Sequence, residues 1–146
     1  GEHAGADPAL TEIRQRGIGA STEEEKADED SKIGDAFTIA EFVMGVNETT
    51  EADLPETVLA WDLVRAVNMA RWAFICGYIN EDEMWEAIRT TAGIAKESFN
   101  SWEEYGNSFA VGRGIWRGET DDYETADEVV GALLNKEDSP WKAIEW

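Results

Sequence analysis

Asp62, Arg65, Asn68 and Arg71 recur every three residues in one stretch of the chain, and Arg113 stands between Gly112 and Gly114 in another. A guanidinium presents a planar fork of donors that matches a carboxylate or a phosphate, so these arginines could hold a small anion. Trp61 and Trp116 could line such a pocket with their ring faces. The competing chemistry is structural: Asp62 with Arg65, joined by Arg113 or by Glu103, would form an internal ion network that fixes helix register. On a helix the row from Asp62 turns by about 60° at each step, so Asp62 and Arg71 end on opposite sides and cannot share one site. The candidate ligand- or partner-binding residues are Trp61, Asp62, Arg65, Arg71, Glu103, Arg113 and Trp116.

Other chemistries find less support. His3 is the one histidine and Cys76 the one cysteine, which removes histidine-activated nucleophiles, thiol metal clusters, most zinc sites and any internal disulfide. Cys76 closes the apolar run from Trp72 and reads as a buried thiol acting as a small hydrophobe. Ser101 lacks a base to remove its proton, and Glu104 three residues on makes it the start of a capping box. The acids around Asp28–Ala40 fail as a calcium loop, because the required glycine and final glutamate are not at the right offsets. Carboxylate-only metal hydrolysis is a weaker third reading, with no fixed metal spacing such as Glu-x-x-His. No catalytic residue, metal ligand set or cofactor is read from the sequence.

The chain carries 32 acidic against 12 basic residues, a net charge of −20. Such a charge argues against a nucleic-acid backbone and against an anionic membrane surface, both of which need clustered cations. It allows a basic protein partner, whose encounter it would speed, and equally it could serve only solubility. No apolar run reaches membrane-spanning length and no leader peptide pattern is visible. The chain opens on Gly1 rather than methionine, as one whose native beginning lies upstream would. The expected compartment is the bacterial cytoplasm.

The elements that must position these residues read as helices. Residues 1–32 form an acidic, loosely ordered segment with one short helix, opened by Pro8, carrying Leu10 and Ile13 and ended by Gly17 and Gly19. Ser21 with Glu24 has capping-box spacing, but the acids that follow have no apolar period. From Ile33 the pattern becomes helical through Phe37, Ala40 and Val43. Glu56 to Cys76 is the strongest element, with Pro55 at its first turn and apolar residues on most sides, which predicts the central helix of a bundle. Asn80 and Glu83 cap a helix with a stripe of Met84, Ile88, Ala95 and Phe99, widened by Trp85.

Past Ser101, the positions Trp102, Tyr105, Phe109, Gly112 and Trp116 share one side, and Gly112 suggests a close approach of another helix. A last helix over 125–135 is expected to bury Val129, Val130, Leu133 and Leu134. Ser139–Trp146 reads as a short hitch whose two tryptophans fold back onto the bundle. Alternating β-branched runs are absent. The fold class is therefore all-α: a single-domain bundle of about five to six helices around residues 56–76, the helical domain spanning 33–146.

The run Trp61-Asp62-Leu63-Val64-Arg65 through Arg71-Trp72, with Gly77-Tyr78-Ile79, Ser101-Trp102-Glu103-Glu104, Gly112-Arg113, Trp116 and Ser139-Pro140-Trp141, resembles the bacterial domain of unknown function 1266 family. The resemblance covers roughly residues 33–146, while residues 1–32 match the family's leading segment poorly. Trp61, Asp62, Arg65, Arg71, Ser101, Trp102, Gly112 and Arg113 fall on its signature positions. It implies a helical fold and no established activity. The functional expectation is a non-enzymatic protein-interaction module, such as a toxin antidote or an adaptor. The alternative is a small-anion-binding sensor or enzyme using the Arg/Asp residues.

Overall fold

The computed structural model describes residues 6–16 and 32–146. The expectations placed on His3, on Gly17 and Gly19, on the Ser21 capping box and on the acidic run after it lie outside these residues. Within them the chain is all-α, with helices α1 (Ala6–Arg16), α2 (Lys32–Asn47), α3 (Leu59–Ile75), α4 (Glu81–Ser98), α5 (Trp102–Arg117), α6 (Thr120–Asn135) and α7 (Pro140–Ala143). A single 3-10 turn, Glu51–Asp53, precedes α3, and no strand occurs among the described residues.

The short first helix belongs to the main core. Leu10 and Ile13 of α1 are fully buried in one cluster with Ala36, Ile39, Ala40 and Ile115. Its Asp7 also reaches the start of α3: Oδ1 accepts the Val58 N–H at 2.9 Å and Oδ2 the Thr57 hydroxyl at 2.8 Å. The carboxylate thereby faces the positive end of the α3 dipole. The next two amides are met as well, Leu59 N–H by Thr57 Oγ1 at 3.1 Å and Ala60 N–H by Ser108 Oγ at 3.2 Å. These donors have no intrahelical acceptor, so their partners decide where the helix begins. That point is Leu59, and Pro55, expected at the first helical turn, lies in the connection ahead of it.

The bundle is organised around α5 rather than around residues 56–76. Gly106, Ser108, Ala110, Val111, Gly112, Gly114 and Ile115 of α5 are all buried, and the helix packs on α2, α3 and α6. Small residues permit this crowding. A methyl at Gly112 would come within 2.6 Å of Trp61 Cβ, one at Gly114 within 2.9 Å of Tyr123 Cβ, and one at Gly106 within 2.5 Å of Val130 Cγ1. The expected close approach at Gly112 is therefore present, with α3 as the neighbour. The helix ends at Gly118, whose φ of 72° is the left-handed cap conformation that favours glycine.

Several burial expectations are corrected by the same arrangement. The far end of α3 runs past its neighbours, so Met69, Trp72, Phe74 and Ile75 are exposed, and Cys76 is an exposed thiol rather than a buried one. Trp85 of α4 is exposed, whereas Met84 and Ala95 are buried. Helix α6 begins at Thr120, five residues before the predicted start at 125, with Asp121 and Asp122 in the first turn where the helix dipole favours acids. Its buried face is Tyr123, Ala126 and Val130, leaving Val129 half-exposed.

The predicted capping box closes fully at Asn80, whereas Ser101 caps its helix alone and the Glu104 carboxylate accepts the Asn100 N–H. Asn80 Oδ1 accepts the Glu83 N–H at 2.9 Å while Glu83 Oε1 accepts the Asn80 N–H at 3.2 Å. Ser101 Oγ accepts the Glu104 N–H at 3.1 Å, so this hydroxyl works as a cap. At the other end of the chain Trp141 and Trp146 fold back as expected, Trp141 stacking on Trp102 at 4.8 Å and 16°.

Candidate functional site

The seam between α3 and α5 gathers four of the predicted residues. Trp61, only 6% exposed, lies between Phe109 at 5.5 Å and Trp116 at 5.6 Å. The Arg65 guanidinium sits over both indoles, 5.7 Å from the Trp61 centroid and 5.2 Å from that of Trp116. Arg113 covers Trp61 at 5.5 Å, and Arg117 covers Trp116 at 5.9 Å. Stacking of this kind suits guanidinium, which is weakly hydrated and planar.

The carboxylate that serves Arg113 and Arg117 is Asp122, at the start of α6. Its Oδ1 is 2.9 Å from Arg113 Nη2 and its Oδ2 is 3.5 Å from Arg117 Nε. Of the expected network, Asp62 with Arg65 joined by Arg113 or Glu103, the Arg113 link runs to Asp122 instead. Asp62, half-buried, sits one residue and about 100° round the helix from Trp61. Glu103 lies in the first turn of α5, ten residues and about 15 Å of rise from Arg113. Arg71 is exposed, six residues beyond Arg65. Arg117 and Asp122 were missed, although the Arg113-to-Arg117 spacing of four already placed both on one helix face.

A second surface was not anticipated. Helices α3 and α4 pack on each other as a hairpin, and its free end exposes large apolar side chains: Trp72 at 62%, Ile75 at 73% and Tyr78 at 84%, together with Met69 and Trp85. Trp61, Arg65, Trp72 and Ile75 follow i, i+4, i+11, i+14, one continuous stripe of α3. α5 covers this stripe at Trp61 and leaves it open at Trp72. Glu81, Asp82, Glu83 and Glu86 follow directly in α4, all exposed, so the apolar end has an acidic rim.

A family model described as protein of unknown function (DUF1266) matches residues 3–146. The chain belongs to this family. The match begins at residue 3 rather than near 33, in keeping with the way α1 contributes Leu10 and Ile13 to the common core. No curated protein and no solved structure matches it. Among the described residues, no helix of this DUF1266 protein is long and apolar enough to cross a membrane.

The DUF1266 chain also closes its carboxyl end with an aromatic cluster. Trp102 meets Trp141 face to face and Trp146 edge-on at 4.9 Å, while Tyr105 is 5.6 Å from both Phe99 and Trp146. Burial raises the Tyr105 pKa, so its phenol stays a donor at neutral pH. Tyr123 is likewise raised, chiefly by burial, although the Asn47 amide donating to its oxygen at 3.1 Å acts the other way. Asp127, one turn along α6, is raised by desolvation.

Proposed function

We propose that the chain is a non-enzymatic protein-interaction module, an adaptor or a toxin antidote, that docks a basic partner through the free end of the α3–α4 hairpin. The observation that carries this reading is the exposure of Trp72, Ile75 and Tyr78 at the free end of a helix pair whose other end packs on α5. Large exposed apolar patches rimmed by polar residues mark interaction sites, and aromatic residues dominate binding energy at such sites. The rim of Glu81, Asp82, Glu83 and Glu86, with the net charge of −20, selects a partner whose apolar centre is ringed by Lys and Arg. The same charge opposes a second copy of the chain. Capture by wild type compared with Trp72→Ser/Tyr78→Ser protein tests the reading: a basic partner retained by the first and released by the second supports it. Concentration-dependent dimers in sedimentation, lost in the variant, would assign the surface to a second copy instead.

A second reading rests on the convergence of Arg65, Arg113 and Arg117 on two indoles. Here the seam is a small-anion site of a sensor or enzyme, with Arg71 and Glu103 outside it. Phosphate would raise the Tm of wild type and not of Arg113→Met. On the first reading Asp122 already occupies the anion's place, and Tm stays flat. The exposed thiol of Cys76 is compatible with a reducing compartment, and the bacterial cytoplasm is the compartment we propose.

A further inference from the structure

We propose that the cleft enclosed by α3, α4, α5 and the carboxyl-terminal segment 144–146 binds a small, uncharged aromatic molecule that carries a hydrogen-bond acceptor. The cleft measures about 270 Å³, which suits a one- or two-ring compound and lies near the lower end of ligand pockets. Val67, Ile88, Ala92 and Ala95 form its aliphatic walls, and Trp102, Tyr105 and Trp146 its aromatic ones. This site is separate from the hairpin surface and does not depend on it.

The walls are fixed before any ligand arrives. Trp102 Nε1 donates to Ile144 O at 2.8 Å, and Trp146 Nε1 donates to Phe99 O at 2.9 Å. Both indole donors are therefore committed to holding the terminal segment in place, and the rings offer the cleft only carbon. Flat partners gain most from such walls, through edge and face contacts. Alanines at 92 and 95 keep the space open where larger apolar residues would fill it.

Tyr105 supplies the polar handle. Its hydroxyl makes no hydrogen bond with any described residue, and a partly buried phenol gains by donating to an acceptor. Charge selects against ions of either sign. Lys96 and Glu145 both line the cleft, so their charges offset each other. The Lys96 ammonium already lies 5.2 Å above Trp146, the ring face a cationic ligand would use. An anion would meet the net charge of −20.

The test uses the intact protein, ¹⁵N-labelled, with the indole N–H signals assigned by single Trp→Phe variants. 1-Indanone, which carries a carbonyl acceptor, is titrated beside indane, which has none. The expected result is saturable movement of the Trp102 and Trp146 signals, with 1-indanone binding about fivefold more tightly than indane, the worth of one hydrogen bond. Tyr105→Phe should abolish that preference. Ala92→Trp, a change at an exposed position on the cleft wall, should abolish binding of both probes at unchanged Tm. Non-saturating shifts, shifts spread equally over Trp72 and Trp85, or saturable binding that survives Ala92→Trp would each overturn the proposal.

Discussion

Arg113 of α5 and Asp122 of α6 form an ion pair at 2.9 Å that ties the two helices together across the Gly118 turn. Asp122 also receives Arg117, so its removal leaves two guanidiniums without this carboxylate. Asp122→Ala should destabilise the protein by about 1–2 kcal/mol, because the carboxylate is largely shielded from solvent and its bonds are charge-assisted. Arg113→Met should cost less, since the methionine stem still packs on Trp61. Urea unfolding of the two single variants and the double variant measures the coupling. Strict additivity would mean that the pair does not act as a pair.

Glycines at different positions should respond with opposite signs. Gly112→Ala places a methyl 2.6 Å from Trp61 Cβ, and the overpacking should cost about 1–3 kcal/mol despite the gain of about 1 kcal/mol in helix propensity. Gly93→Ala meets nothing within 4 Å and should stabilise by about 0.5–1 kcal/mol. Denaturation midpoints decide the matter, and equal stabilisation by both would mean that α3 and α5 do not touch at Gly112.

Ser108 is fully buried, where it accepts from Ala60 N–H and donates to Thr57 O at 2.7 Å. Ser108→Ala leaves a buried amide and a carbonyl without partners, at a cost of about 1–3 kcal/mol. Hydrogen exchange should show the loss first in the opening turn of α3. Uniform loosening of all helices would contradict a local capping role.

Stability should fall at alkaline pH. Burial holds the Tyr105 and Tyr123 protons to higher pH in the native state than in the unfolded chain. Above about pH 10 the unfolded state therefore binds fewer protons, and stability declines as pH rises through the native values. Asp127 is raised too, so its contribution is present at low pH and is lost as pH rises through its native pKa. Asp127→Asn should accordingly raise the urea midpoint at pH 7 and leave it nearly unchanged below the unfolded pKa of about 4. A midpoint that rises from pH 9 to 11 would contradict the tyrosine account.

The all-α class, the caps at Asn80 and Ser101, the returning tryptophans and the contact at Gly112 were legible because each depends on short-range spacing. The identity of the central helix was not. An apolar circumference reads the same whether neighbours bury it or it projects beyond them, so spacing alone does not separate Trp72 and Ile75 from core positions. In α5 the same packing role is carried by small residues, which give a weak apolar signal. Asp122 was hidden by placing the start of α6 at 125, which left the carboxylate in a loop. The meeting of Trp61, Arg65, Arg113 and Trp116 was visible only as a set of candidates, because Arg71 and Glu103 were equally eligible before the helices were placed.

The most direct measurement for the interaction account is a paired capture from lysate, with wild-type and Trp72→Ser/Tyr78→Ser protein at low and at high salt. Both substituted side chains are exposed, so the variant should keep its fold and its Tm. The account predicts that a basic protein is held by wild type at low salt, weakened at high salt and released by the variant. The same partner held equally by both proteins would contradict docking through the hairpin.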